Sequence, residues 1–512
     1  MSKPFPRIAF DLLISLASAL VLSGALAFFQ AGIYLTSFLA AAVILWAGSF
    51  LCLLVWRFFK GGRTLAAIML VTFFLRVTLG VYLQQSLPVI GFDTDVQNAG
   101  YVYSDAYTRD QQAYNIACTP GSLYTAVRAA GHTDQYGGLL FLSTLVYRLL
   151  SPDVARPLLI TLLAALAMTL GAAFLYDAAK NRWGERVAVF SAWFLALYPE
   201  GVLLGSSQMR EPFLIAFLCL GIWALFTWQD HKLSRSIVLI LAMASAVLFS
   251  IPVGLLFTVC LLVLALVGWL SAQTMLKPRL LGWAALAVIA LVSAYAGWKW
   301  LQPTLYYDAW LTQSSSGLIA MLLKGLGKQW TIPFVTAYGL AQPVLPAALT
   351  DVSLPIWMGL SIWRGLGWYI AIPFLLYGAL ALWRARPVKD KWQMLFVLIA
   401  LVLWTVVSSA RAGGDQWDNP RYRAVFLPLL ALLAAWLAVH AQQKHSPWLM
   451  RIFVVVFVDV LLFTLWYLPR RGAWGLAMSF VSIVTVVGVF TLLFTAGCIL
   501  YDRFRRKTKT AQ

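Results

Sequence analysis

The sequence predicts an all-α polytopic membrane protein with about fourteen transmembrane helices, and three observations carry that expectation. Of 512 residues, 62% are hydrophobic and 11% charged, against roughly 25% charged in an ordinary soluble domain. Apolar runs of span length recur along the whole chain, and mean hydropathy is +0.81. Basic residues concentrate in alternate connections between those runs. A water-soluble globule and a singly anchored enzyme are both excluded, because each crossing uses only about 20 apolar residues.

The expected spans, in order, cover residues 8–30, 33–56, 64–83, 157–176, 187–204, 212–228, 236–250, 252–270 and 281–298, then 366–383, 392–409, 424–439, 452–468 and 474–500. The basic start MSKPFPR precedes the first run without a small-residue cleavage site, so that run reads as an uncleaved span. Residues 236–270 are apolar almost throughout but have basic flanks (Lys232, Arg235 and Lys277, Arg279), so they cross an even number of times, with a hairpin at Ile251, Pro252 and Gly254.

A net charge of +19 would suggest a nucleic-acid partner in a soluble chain. Here the positive-inside rule absorbs it. With the N-terminus inside, Arg57, Lys60, Arg63, Lys180, Arg182, Arg186, Arg384, Arg386, Lys389 and the tail RFRRKTK all face the cytoplasm. The bilayer is therefore the expected partner, and no nucleic acid is. Five scattered cysteines, four of them within apolar runs, give neither a disulfide framework nor a metal motif.

The acidic residues fall mainly on the other side, in loops 84–156, 299–365 and 411–423. Asp93, Asp95, Asp105, Asp110, Asp134 and Asp153 share the first loop, interleaved with Tyr and Arg. Within it, GLLFLSTLVYRLL is too short to span and reads as an interfacial helix on the outer leaflet; the proline-broken 331–351 segment reads as another. The expected division is two N-terminal helices (1–63), a core with the large first outside loop (64–270), and a C-terminal region with the later outside loops and a basic cytoplasmic tail (271–512).

The first loop contains GFDTD, then VYSDAYTRDQQAYNIA, then HTDQYGG; after the interfacial helix come RPLLITLLAALAMTLGAAFLYDAAKNRWGERVAVFSAWFLALYP and ALYPEGVLLGSSQMREPFLIAFLCL. Over roughly residues 64–270 this pattern resembles the GT-C glycosyltransferase superfamily, in its polyprenyl-phosphate-sugar-dependent branch related to protein mannosyltransferases. The resemblance implies a GT-C-like fold and transfer of a sugar from a polyprenyl-phosphate donor. This chain departs from the family pattern in placing two spans before the one that leads into the acidic loop and in reading Asp110-Gln111 where an Asp-Glu pair is common.

Inverting transfer from a lipid phosphate needs a carboxylate to take the acceptor's proton and cations to stabilise the departing phosphate. Asp105 and Asp110 are the candidate bases. On one helix they diverge by about 140°, so only one faces substrate; the resemblance favours Asp110, through Tyr114 and Ala117. Capping or a surface salt bridge is the alternative for either. Arg210, Arg364, Arg411, Arg421 and Arg423 are candidates for the phosphate, because guanidinium forks bind it bidentately; interfacial anchoring is the alternative for those in RAGGDQWDNPRYR. Asp95, Tyr114, His132, Gln135 and Tyr136 are the expected substrate contacts. Glu211 is read either as a helix N-terminal carboxylate or, with Asp105, as a ligand for a divalent cation such as Mg or Mn. Arg76 lies inside a span, where a charge is costly and usually functional or paired, and no partner can be named for it.

The expected function is therefore a glycosyltransferase of the inner membrane acting at its outer face, with an acceptor that is a glycan, a lipid or a protein. A hexose or a pentose would serve as the sugar. Outside the cytoplasm nucleotide sugars are absent, and no Gly-rich nucleotide loop occurs. A surface-polysaccharide polymerase or ligase, leaning on the arginines of 411–423, is one alternative. A transporter or lipid flippase is another, though paired halves and broken mid-membrane helices are not evident.

Overall fold

A computed structural model describes residues 5–123, 125–126, 137–273, 275–315, 323, 327–384 and 390–510. Among these the chain is helical and contains no strand. The helices are α1 (Phe5–Ala27), α2 (Tyr34–Phe58), α3 (Arg63–Ile90), α4 (Asp95–Asn98), α5 (Ser104–Cys118), α6 (Gly138–Leu150), α7 (Pro157–Trp183), α8 (Glu185–Leu197), α9 (Pro199–Gly205), α10 (Glu211–Phe226), α11 (Lys232–Phe249), α12 (Ile251–Ala272) and α13 (Leu276–Ser315). After them come α14 (Thr331–Leu340), α15 (Leu345–Leu349), α16 (Pro355–Arg384), α17 (Lys391–Arg411), α18 (Asp418–Ala424), α19 (Leu427–Gln443), α20 (Trp448–Tyr467) and α21 (Phe480–Thr510).

Eleven of these are long and apolar enough to cross a membrane, and 13 if two bent pairs each count as one span. The chain is thus a multi-pass membrane protein. The difference from fourteen lies at α10, whose 16 residues reach about 24 Å at 1.5 Å per residue, short of a hydrocarbon core about 30 Å thick. It is instead enclosed by protein, with Leu214, Ile215, Leu218, Cys219 and Ile222 wholly buried.

Both bent pairs follow from proline chemistry. Expected span 187–204 is α8 plus α9, bent by 58° where Pro199 lacks an amide; α18 and α19 meet at 69° just before Pro428. The even crossing that the basic flanks require is there, but the break between α11 and α12 falls at Ser250, and Ile251, Pro252 and Gly254, expected to form the hairpin, open α12 instead, where a proline in the first turn needs no amide partner. α6 is 13 residues long and buries Leu139, Leu140, Val146 and Tyr147, while Leu149 stays exposed, an amphipathic pattern.

The connections sort to two ends of the bundle. At one end Arg182 bonds Asp390 and, at 2.8 Å, Gln393 Oε1, joining the α7–α8 and α16–α17 connections. At the other, Trp357 Nε1 donates to Gln97 Oε1 at 3.2 Å, and Asn419 Nδ2 to Gly339 O at 2.9 Å. Loops 84–156, 299–365 and 411–423 therefore meet on one side. A separate apolar cluster underlies that end, built from Leu83, Leu87, Tyr101, Tyr103, Leu203, Met209 and Trp357.

Candidate functional site

Helix α5 buries Ala106, Arg109, Asp110 and Ala113, the i, i+3, i+4, i+7 spacing of a single helix face. That face takes Asp110 inward and leaves Asp105, in the first turn, off it.

Asp110 accepts from Tyr101 Oη at 2.5 Å and from Tyr147 Oη at 2.6 and 2.7 Å. Burial pushes its carboxyl up from the ordinary range, and the two hydroxyls together with Arg109 pull it back. The carboxylate that the resemblance favours is thus enclosed as a tie between the loop, α5 and α6. Asp110→Ala strands two buried hydroxyls, each costing about 1–3 kcal/mol, so a lowered melting temperature is the expected outcome; an unchanged one would contradict this role.

Asp105 stands at the rim, its side chain 58% exposed, with Oδ2 3.1 Å from Arg421 Nη1. Arg421 is itself buried and meets two further carboxylates, Asp418 Oδ1 at 3.3 Å and Glu211 Oε1 at 3.4 Å. Glu211 opens α10 beside Pro212, where the positive end of the helix dipole favours an anion, and Arg210 Nε lies 4.0 Å from it. Its Oε2 has no hydrogen-bond partner among the described residues, and neither does Arg421 Nε. Three chain segments, around residues 105, 211 and 421, thus converge on one guanidinium.

A second buried pair braces this group. Arg364 grips Glu200 with two bonds, 2.6 and 3.1 Å, donates to Trp417 O at 3.2 Å, and lies 4.2 Å over the Trp417 ring. Nothing local in the sequence points to Glu200 as half of an ion pair. Its partner lies 164 residues away, beyond any local signal.

The remaining candidates scatter around the rim. Arg423 is buried, stacks 3.9 Å over Trp368 and donates to Gln342 O, while its Nε and Nη1 have no hydrogen-bond partner among the described residues. It borders a crevice of about 20 Å³ with Tyr198, Trp404 and Thr405, room for about one water rather than a sugar. Arg411 lies 4.1 Å over Trp300. Asp95 is exposed in the first turn of α4. Tyr114 sits on the Asp110 side of α5, its ring edge-on to Tyr147 and its hydroxyl 3.5 Å from Pro152 O, away from Arg421. His132, Gln135 and Tyr136 lie outside the described residues. No group of three or more His, Cys, Asp or Glu side chains close enough to hold a metal occurs among the described residues. Asp105 and Glu211 are both engaged by Arg421.

Residues 138–298 match the family described as dolichyl-phosphate-mannose-protein mannosyltransferase, a GT-C type domain. The matched stretch runs from α6 into α13 and includes Glu200, Arg210 and Glu211. It agrees with the GT-C resemblance carried by the sequence motifs. No curated protein matches the chain significantly.

Proposed function

We propose that the chain is an inverting glycosyltransferase that moves a sugar from a polyprenyl-phosphate carrier to an acceptor hydroxyl at the outer face of the inner membrane. The family match supports a membrane glycosyltransferase with a lipid-linked donor. The observation that carries the finer reading is exposed Asp105 beside buried Arg421, a base and an anion-binding cation whose 3.1 Å ion pair opens for the sugar ring to come between them, since inversion needs the base on the face opposite the phosphate.

In the proposed reaction the acceptor oxygen attacks the anomeric carbon as Asp105 takes its proton. The bond from that carbon to the phosphate oxygen breaks, and its electron pair leaves with the polyprenyl phosphate. Arg421 holds the departing phosphate through its fork; Arg423, about 200° round α18 from it, faces the Trp368 crevice and takes no part in that contact. Binding of the phosphate to Arg421 loosens its hold on Asp105, which frees the carboxylate to accept a proton. Glu211 keeps Arg421 oriented. A divalent cation would find Asp105 and Glu211 as ligands only by displacing Arg421.

The test is reconstitution of the purified chain with a polyprenyl-phosphate sugar carrying a radiolabel, hexose and pentose forms in parallel. Label transferred to an added glycan, lipid or protein supports the reading; use of a nucleotide sugar alone overturns it. The proposed sidedness has its own reporter, because Cys118 at the end of α5 is exposed whereas Cys219 and Cys260 are buried. A membrane-impermeant maleimide applied to intact cells is expected to label Cys118, with the signal lost in Cys118→Ala. Labelling that requires permeabilised cells would place the site on the cytoplasmic side.

A further inference from the structure

We infer that Arg76 is a positioning residue for this site, supplying hydrogen-bond donors to the two carbonyls left open at the break between α8 and α9, one by the missing amide of Pro199 and one by the turn. In an uninterrupted helix, Leu195 O would accept from the amide of residue 199 and Ala196 O from that of residue 200. Pro199 has no amide, and the chain turns by 58° there. Carbonyls stranded away from water are costly to leave unpaired.

Arg76, fully buried in α3, meets them both: Nη2 donates to Leu195 O at 3.2 Å and Nη1 to Ala196 O at 3.1 Å, with Thr72 O at 2.9 Å as a third acceptor. A planar fork suits two carbonyls one residue apart, and a cation suits the negative end of α8. The fit extends to α9. A Cβ on Gly205 would stand 2.6 Å from Arg76 Cδ and 2.7 Å from its Nε, so the helix packs against the arginine stem only because that position is glycine.

The consequence runs to the site through short links. α9 carries Glu200, which grips Arg364, which donates to Trp417 O immediately before α18 and Arg421. The turn after α9 leads directly to Glu211. Loss of the bonds from Arg76 lets α9 tilt, and both the Glu200 brace and Glu211 move with it.

The kinetic consequence rests on the proposed transferase activity; the structural one does not. The full chain is reconstituted as wild type, Arg76→Met, Arg76→Lys, Pro199→Ala and the Arg76→Met/Pro199→Ala double variant. Amide hydrogen exchange over 199–210 and the kcat and KM for the lipid donor are measured on each. Arg76→Met is expected to raise exchange in that segment about tenfold and to lower kcat about a hundredfold, as misplacement near 1 Å does, with KM within about twofold. Arg76→Lys restores part of both. In the Pro199→Ala background Leu195 O regains its own amide, so Arg76→Met should then change exchange far less. Unaltered exchange over 199–210, or independent effects in the double variant, overturns the inference. Should Arg76→Met not fold, Gly205→Ala presses on the same contact without removing the charge, and the same rise in exchange is expected. If the wild-type chain transfers no sugar, the transferase reading fails alone and the exchange data still judge Arg76.

Discussion

Asp105→Asn is expected to leave the folded chain intact and to slow transfer about a thousandfold, the middle of the range for removing a general base. The two halves of that result follow from one geometry. The carboxylate is more than half exposed, so water screens its ion pair with Arg421, and Arg421 keeps Glu211 and Asp418 as partners when Asp105 loses its charge. An amide keeps the shape and the hydrogen bond but has no lone pair basic enough to take the acceptor's proton. Melting curves and transfer rates measured on the same preparations separate Asp105 from Asp110, whose loss should register as instability. A variant at Asp105 that transfers normally would remove it from the chemistry.

Arg421→Met should do both kinds of damage. Among the described residues it leaves Glu211 buried with only Arg210 nearby, at 4.0 Å, and breaking a buried pair from one side costs about 3–5 kcal/mol. It also removes the charge opposite the leaving phosphate, expected to lower kcat about a hundredfold to a thousandfold. The double variant Arg421→Met/Glu211→Gln takes away the stranded charge along with its partner. Stability should then largely return, while transfer stays lost. Recovery of transfer together with stability would mean that Arg421 acts only as scaffolding.

Much of the fold was legible in the sequence because hydropathy and the placement of basic residues are direct statements about solvent. The even crossing of residues 236–270 and the gathering of the three acidic or arginine-bearing loops at one end follow from them. The broken helices were harder. Pro199 and Pro428 stand in plain view, but a proline says that an amide is missing and leaves open what replaces it; at Pro199 the replacement is Arg76, 119 residues from its nearer carbonyl partner. The candidate site was legible as a region and not as a geometry. The angular spacing of Asp105 and Asp110 required that only one face the substrate, but the choice depends on Tyr147, 37 residues from Asp110, and on Arg421, 316 residues from Asp105. Such pairings arise from tertiary packing, which no local pattern encodes.

The most direct test is a cryo-EM map of the chain in a lipid nanodisc with a non-transferable phosphonate analogue of a polyprenyl-phosphate sugar. The proposed arrangement predicts phosphonate oxygens within hydrogen-bond reach of Arg421, with the anomeric carbon presenting to Asp105 the face opposite the leaving group. A head group seated elsewhere, with Asp105, Glu211 and Arg421 undisturbed, would contradict it.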